Sequence, residues 1–200
     1  PSHFLETMLW THAERMARPV VDAEIFDAER SIVQEELRQR VLATPYGRLQ
    51  RFVMINNSWR VSPYHRPGIG SIEELNAATV DDALAFHDAY YRPDNAVLVV
   101  SGDFDQAQLD AWIDEHFGPI RAPDRPIPRF TAEEPAREGP RSVTAYAPNV
   151  PLPAIVWSYP APPVNHPDTP ALQVLDAILT SGDSSRFHQA LVRGGVAASA

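Results

Sequence analysis

The sequence predicts an α+β fold, and three observations predict it. Apolar residues recur at helical spacing through much of residues 1–118. The run Asn95-Ala96-Val97-Leu98-Val99-Val100-Ser101-Gly102 is continuously apolar between turn residues, as a buried strand is. After a proline-rich break, residues 141–146 and 154–159 are rich in β-branched and aromatic side chains. At 200 residues the chain is long enough for one ordinary domain or two small ones.

Taken in order, the first helix carries Phe4, Leu5, Met8, Leu9, His12 and Met16 at spacings of three and four and stops at Pro19. Asp22 is placed to cap a second helix, with Ile25, Phe26, Ile32, Val33, Leu37 and Val41 as its buried stripe and an end near Thr44-Pro45. A short third helix covers Tyr46 to Asn57, and Pro63 to Gly70 reads as an ordered loop. Ser71-Ile72-Glu73-Glu74 has the form of a capping box. Thr79-Val80-Asp81-Asp82 opens another helix, with acidic residues in the turn where the helix dipole favours them. That helix ends before Pro93. Asp105 or Asp103 caps one more, through Phe117. Beyond the break, a helix from Thr169 to Leu179 and a shorter one to Val192 complete the pattern.

Proline marks the domain junction: six of the 20 fall in 1–118, fourteen lie between Pro119 and Pro170, and none follows. Lacking an N–H and fixed in φ, these residues interrupt helices and central strands, so 119–140 is expected to be an extended linker. The start at Pro1, without Met or a signal-like segment, reads as an internal position of a longer chain. All 17 basic residues are arginine, set against 26 acidic ones, and the net charge of −9 excludes a nucleic-acid partner as an expectation. No stretch reaches the roughly 20 apolar residues of a membrane span. The absence of cysteine removes disulfides, thiolate metal sites and a cysteine nucleophile.

Two patterns carry chemistry. His3-Phe4-Leu5-Glu6-Thr7 falls one residue short of H-x-x-E-H, the inverted motif in which two histidines one turn apart hold zinc. Thr7 stands where the second histidine belongs, so this is read as an amphipathic helix and not a metal site. Glu29 and Glu36, seven residues apart, lie nearly on one line of the second helix with Ile32 and Val33. Two carboxylates on a stripe with buried aliphatics need compensation from a metal or an arginine. The plainer reading is a solvated charged edge with pairs such as Glu36 and Arg40, and the spacing alone does not name a site. His65 reads as a loop-packing residue, the remaining histidines as surface or boundary residues, and Trp10, Trp59, Trp112 and Trp157 as core or groove packing.

Further along, Glu29-Arg30-x-x-Val33-x-x-Glu36, then Pro45-Tyr46-Gly47, then Pro63-Tyr64-His65-Arg66-Pro67 with Ile69-Gly70, succeed one another in this order. Tyr90-Tyr91-x-Pro93-x-Asn95-Ala96-x-Leu98-Val99-Val100-x-Gly102-Asp103 follows, and after the linker come Ser184-Ser185-Arg186-Phe187 and Gln189-Ala190-Leu191. This succession resembles the M16 family of zinc metallopeptidases, the pitrilysin-, insulinase- and mitochondrial-processing-peptidase-like proteins.

The resemblance implies a LuxS/MPP-like metallohydrolase-type domain, an antiparallel sheet with helices packed on it, present as a partial two-domain fragment. Residues 1–118 would be the C-terminal part of the first domain, 119–140 the linker and 141–200 the N-terminal part of the second. It implies a metalloendopeptidase that hydrolyses peptide bonds through a zinc-activated water. The alternative is a non-catalytic scaffold or partner subunit of the same fold. Carried over residue by residue, Glu36 matches the family's third zinc ligand, and Glu29 matches the upstream glutamate that supports the catalytic site. His3 precedes Glu36 by only 33 residues, too few for the family's first histidine, so the H-x-x-E-H segment is expected outside this chain. The 200 residues alone should then be inactive and hold zinc incompletely or not at all. Arg193 stands, across a small gap, for an arginine that contacts substrate, while Ala198 occupies the place of the companion tyrosine. The implied partners are a peptide or unfolded polypeptide substrate and either the remainder of its own chain or an M16-like subunit.

Overall fold

The computed structural model describes residues 2–200; Pro1, on which the reading of an internal start rests, lies outside the described residues. Among the described residues seven α-helices follow in order: α1 Leu5–Ala17, α2 Ala23–Leu37, α3 Met54–Ser58, α4 Ile72–Ala77, α5 Val80–Tyr90, α6 Gln106–His116 and α7 Thr169–Thr180. Helix α2 continues into a wider π turn at Arg38–Leu42, α3 is entered through another at Leu49–Val53, and a third spans His188–Val192.

The helix starts follow from local chemistry. Asp22 Oδ1 accepts the Ile25 N–H at 2.8 Å, and Asp105 Oδ1 accepts that of Gln108 at 2.8 Å. Ser71 with Glu74, and Thr79 with Asp82, close reciprocal capping boxes at the heads of α4 and α5. The Asp82 carboxyl is accordingly held below its ordinary range, first by the Thr79 hydroxyl and then by the Thr79 N–H. The turn after α2 depends on two residues. Tyr46 takes a left-handed φ of 63°, and a Cβ on Gly47 would overlap the Val41 carbonyl, so glycine is required there.

The chain divides into two compact units, one ending at Val156 and the other Trp157–Ala200. In the first, α1 packs on α6 around Leu9, Ala13 and Leu109, and α2 leads into a buried pair, Leu37 and Val41. Gln34 Nε2 donates to Asn76 Oδ1 at 2.8 Å and Arg30 Nη1 to the Ala78 carbonyl at 3.3 Å, tying α2 to α4. In the second unit α7 precedes the Gly182 turn and the π turn, and buried Ser185 accepts the His188 N–H at 3.3 Å.

The structure corrects the expected antiparallel sheet with helices packed on it: no strand forms among the described residues. Residues 96–101, 141–146 and 154–159 belong to no helix or strand, and their backbones enter no ladder. Val97 is 89% exposed, Val99 81% and Ile155 73%, where the sequence pattern had put a buried strand and its partners. The physical reason is that strand propensity reflects fit to a neighbouring strand and gives nothing without one. Pro148, Pro151 and Pro153, between the two β-rich stretches, also remove the N–H groups that a hairpin would use.

Two smaller expectations are corrected as well. Of the stripe assigned to α2, Ile25 and Ile32 face solvent, and only its C-terminal members Leu37 and Val41 are buried. Trp10, Trp59 and Trp157 are exposed and not in a core, although Trp59 lies against the Tyr64 ring and Trp10 lines a recess with Ala13, His116 and Ile120.

Candidate functional site: the carboxylate face of α2

The face of α2 opposite α4 presents Ile25, Glu29, Ile32 and Glu36 at intervals of four, three and four residues. Glu29 is exposed, with no hydrogen-bond or ion-pair partner among the described residues. Glu36 is half-buried, its side chain 40% exposed, and its Oε1 accepts from Arg40 Nη1 at 2.6 Å. The pairing one turn later is the charged-edge arrangement, and at the protein surface such a pair contributes only about 0.3–0.5 kcal/mol. Arg30, the other arginine beside this face, is turned away. It bonds Asp27 and the Ala78 carbonyl and lies over the Phe26 ring, 5.4 Å from its centroid.

A protein zinc site takes three or four nitrogen, sulfur or oxygen donors around one point. Among the described residues no group of three or more His, Cys, Asp or Glu is arranged to hold a metal ion, so these residues do not by themselves fit zinc. Glu36 is a single carboxylate, and nothing around it completes a coordination set. His3, the near-match, lies against the Phe4 ring and beside a recess lined by Asp103, Asp105 and Trp112.

Arg193 closes the π turn His188–Val192, donating its backbone N–H to the His188 carbonyl at 3.1 Å, and leaves its guanidinium in solvent. Ala198 is exposed. Glu36 and Arg193 belong to different units.

The contacts that sequence reasoning missed lie in the proline-rich segment. The Glu134 carboxylate accepts three successive backbone N–H groups, from Arg60 at 2.6 Å, Val61 at 2.9 Å and Ser62 at 2.8 Å. These bonds, with that of Ser62 foremost, hold its carboxyl below the ordinary glutamate range. Arg92, 4% exposed, makes a bidentate pair with Asp94 at 2.6 and 2.8 Å. The Asp94 carboxyl is lowered in consequence and the guanidinium raised. Glu134 carries no sequence sign of its partners, because they lie 72 to 74 residues away, whereas Arg92 and Asp94 are only two residues apart.

Comparison with known proteins fits this chain to one family. Residues 77–200, more than half of it, match the family described as the peptidase M16 inactive domain. The zinc protease PqqE of Helicobacter pylori is 31% identical over 189 residues, which cover 94% of this chain and 42% of that protein. An uncharacterized zinc protease of Mycobacterium leprae is 38% identical over 56 residues, 28% of this chain and 13% of its own length. The crystal structure of a protease from Helicobacter pylori superposes with a TM-score of 0.80 at 27% identity, covering 97% of this chain and 47% of that one. The chain thus spans less than half the length of the relatives it matches. The ordered motifs, the family match and the superposition agree: the chain belongs to the peptidase M16 family.

Proposed function

We propose that this chain is part of an M16 zinc metalloendopeptidase acting on peptide or unfolded polypeptide substrates, with residues 1–118 and 141–200 contributed to two successive domains joined by 119–140. In this reading Glu36 is the chain's one metal ligand, Glu29 supports it electrostatically from one face of the same helix, and Arg193 contacts substrate. The observation that carries the reading is the shared face of Glu29 and Glu36 on α2, in a chain that aligns over 94% of its length with a zinc protease. The Glu36–Arg40 pair is no obstacle, since a surface pair of about 0.5 kcal/mol opens when a stronger cation competes for the carboxylate. The H-x-x-E-H segment is absent from these residues, so the 200-residue chain is inactive by itself.

A second reading, a non-catalytic M16-like scaffold or partner subunit, is favoured by one observation: the family match is to the domain described as inactive, and it starts at residue 77, beyond both glutamates. The two readings separate in the full-length protein. A peptidase loses activity with a chelator, and Glu36→Gln lowers kcat/KM by at least about 100-fold with the fold intact by circular dichroism. Full-length protein that cleaves no peptide before any substitution supports the scaffold, and activity unchanged by Glu36→Gln removes Glu36 from the site.

A further inference from the structure

Residues 119–152 form no helix or strand, yet at intervals they are bonded to residues 43–95 of the same unit. Arg92 donates through Nη1 to the Arg125 carbonyl at 2.9 Å and through Nη2 to the Pro123 carbonyl at 2.8 Å. Arg125 pairs with Asp88, and Arg129 Nη2 donates to Asn95 Oδ1 at 2.8 Å. Glu134 then takes the three amides of 60–62, Arg137 Nη2 reaches the Ser58 carbonyl at 2.7 Å, and Arg141 Nη2 the Asn57 carbonyl at 2.5 Å. At the far end Asn149 Nδ2 donates to the Ala43 carbonyl at 3.3 Å. The Tyr46 hydroxyl donates to the Leu152 carbonyl at 2.9 Å and accepts the Leu152 N–H at 3.3 Å.

Most of these contacts join a polar side chain to backbone atoms; only Arg125–Asp88 and Arg129–Asn95 join two side chains. A proline-rich segment suits such contacts. Each proline removes an N–H that would need a partner and holds the chain extended before docking, which lowers the entropy lost on docking. Two of the attachments differ in kind. Glu134 closes on a concave row of three amides at the end of α3, an arrangement that binds carboxylates. Tyr46 holds both backbone groups of one residue from a left-handed conformation that costs a non-glycine residue energy and persists only where the surroundings enforce it. Tyr46 closes the turn that follows α2 and its π extension, the helix that carries Glu36.

We propose that residues 119–152 are a docked strap and not a free tether, buckled at Glu134 to the end of α3 and at Tyr46 to the turn that ends the Glu36 helix. Tyr46 is then a positioning residue: through Leu152 it ties the strap to the end of that helix. The proposal rests on the contacts above and not on peptidase activity.

Residue-resolved hydrogen exchange on the full-length protein tests it, with Tyr46→Phe, which removes one hydroxyl, and Glu134→Gln as separate variants. In the unsubstituted protein the amides of residues 60–62 and of Leu152 are expected to exchange at least about 10-fold more slowly than in a free chain. Tyr46→Phe accelerates Leu152 and the turn at 43–47 about five-fold and leaves 60–62 unchanged; Glu134→Gln does the reverse. Free-chain exchange at 60–62 and Leu152 in the unsubstituted protein overturns the strap, as does a variant that loosens both ends, or the whole fold, equally. If Tyr46→Phe does not fold, the Glu134→Gln arm alone decides, since its prediction is confined to three amides. None of these readings requires catalysis, so a failed strap and a failed peptidase assignment are told apart.

Discussion

Glu134 shows how a single side chain gains its meaning from partners that are remote in sequence. Its carboxylate is lowered by the Ser62 N–H first, by those of Val61 and Arg60 next, and by the Arg60 charge. A carboxyl whose folded pKa is depressed stabilises the fold above its unfolded value and loses that contribution as pH falls through the folded one. The difference in urea midpoint between the unsubstituted protein and Glu134→Gln is therefore expected to be constant from neutral pH down to the ordinary glutamate value of 4.5 and to shrink to nothing below it. A difference that grows as the pH drops would show that the carboxylate is not what the amides hold. Glu36 makes the complementary point at the same scale. Its position in the motif was legible, whereas its partner in the structure, Arg40, was legible only as one of two readings, since an i,i+4 arginine is local and a metal ligand set is not.

Among elements, the helices were legible, whereas the expected sheet does not form among the described residues, and the difference is one of range. Asp22, Ser71, Thr79 and Asp105 each cap the helix that they precede by bonding an N–H three residues on, so the information sits within one turn. Thr79 is the clearest case, because its hydroxyl also donates to Asp82 at 2.7 Å while the Asp82 carboxylate accepts the Thr79 N–H at 2.9 Å. Thr79→Ala is expected to cost about 1 kcal/mol in a urea melt and to raise exchange in the first turn of α5 above that in α6. Uniform loosening would mean that α5 is held by packing and not by its cap. The β-rich runs follow the opposite logic. Val97 and Val99 have the residue types of a strand, but pairing depends on a partner that no local pattern encodes, and no such partner is present among the described residues. The π turns after α2, before α3 and at 188–192 were equally invisible, since one extra residue in a turn leaves the apolar spacing almost unchanged.

For the molecule as a whole, the decisive quantity is how many metal donors this chain can bring together. Neutral imidazole and carboxylate sites reach tight zinc binding by convergence of three or four donors, and each lost ligand removes a large share of the affinity. Here seven histidines and 26 acidic residues are present, yet no three are grouped as a metal set among the described residues. Two of the histidines are engaged elsewhere: His65 Nδ1 bonds the Ser62 carbonyl at 2.8 Å, and His87 Nε2 bonds the Arg15 carbonyl at 2.8 Å while its ring stacks on Tyr91. Glu36 offers one carboxylate, already in contact with Arg40. The 200-residue chain is therefore expected to bind zinc no better than an isolated surface carboxylate does. Titration calorimetry at neutral pH should show no one-to-one complex tighter than about micromolar, with Glu36→Gln leaving the isotherm unchanged. A stoichiometric sub-micromolar complex lost in Glu36→Gln would place a complete site within these residues. It would then remove the reason for assigning the other ligands to H-x-x-E-H outside the chain.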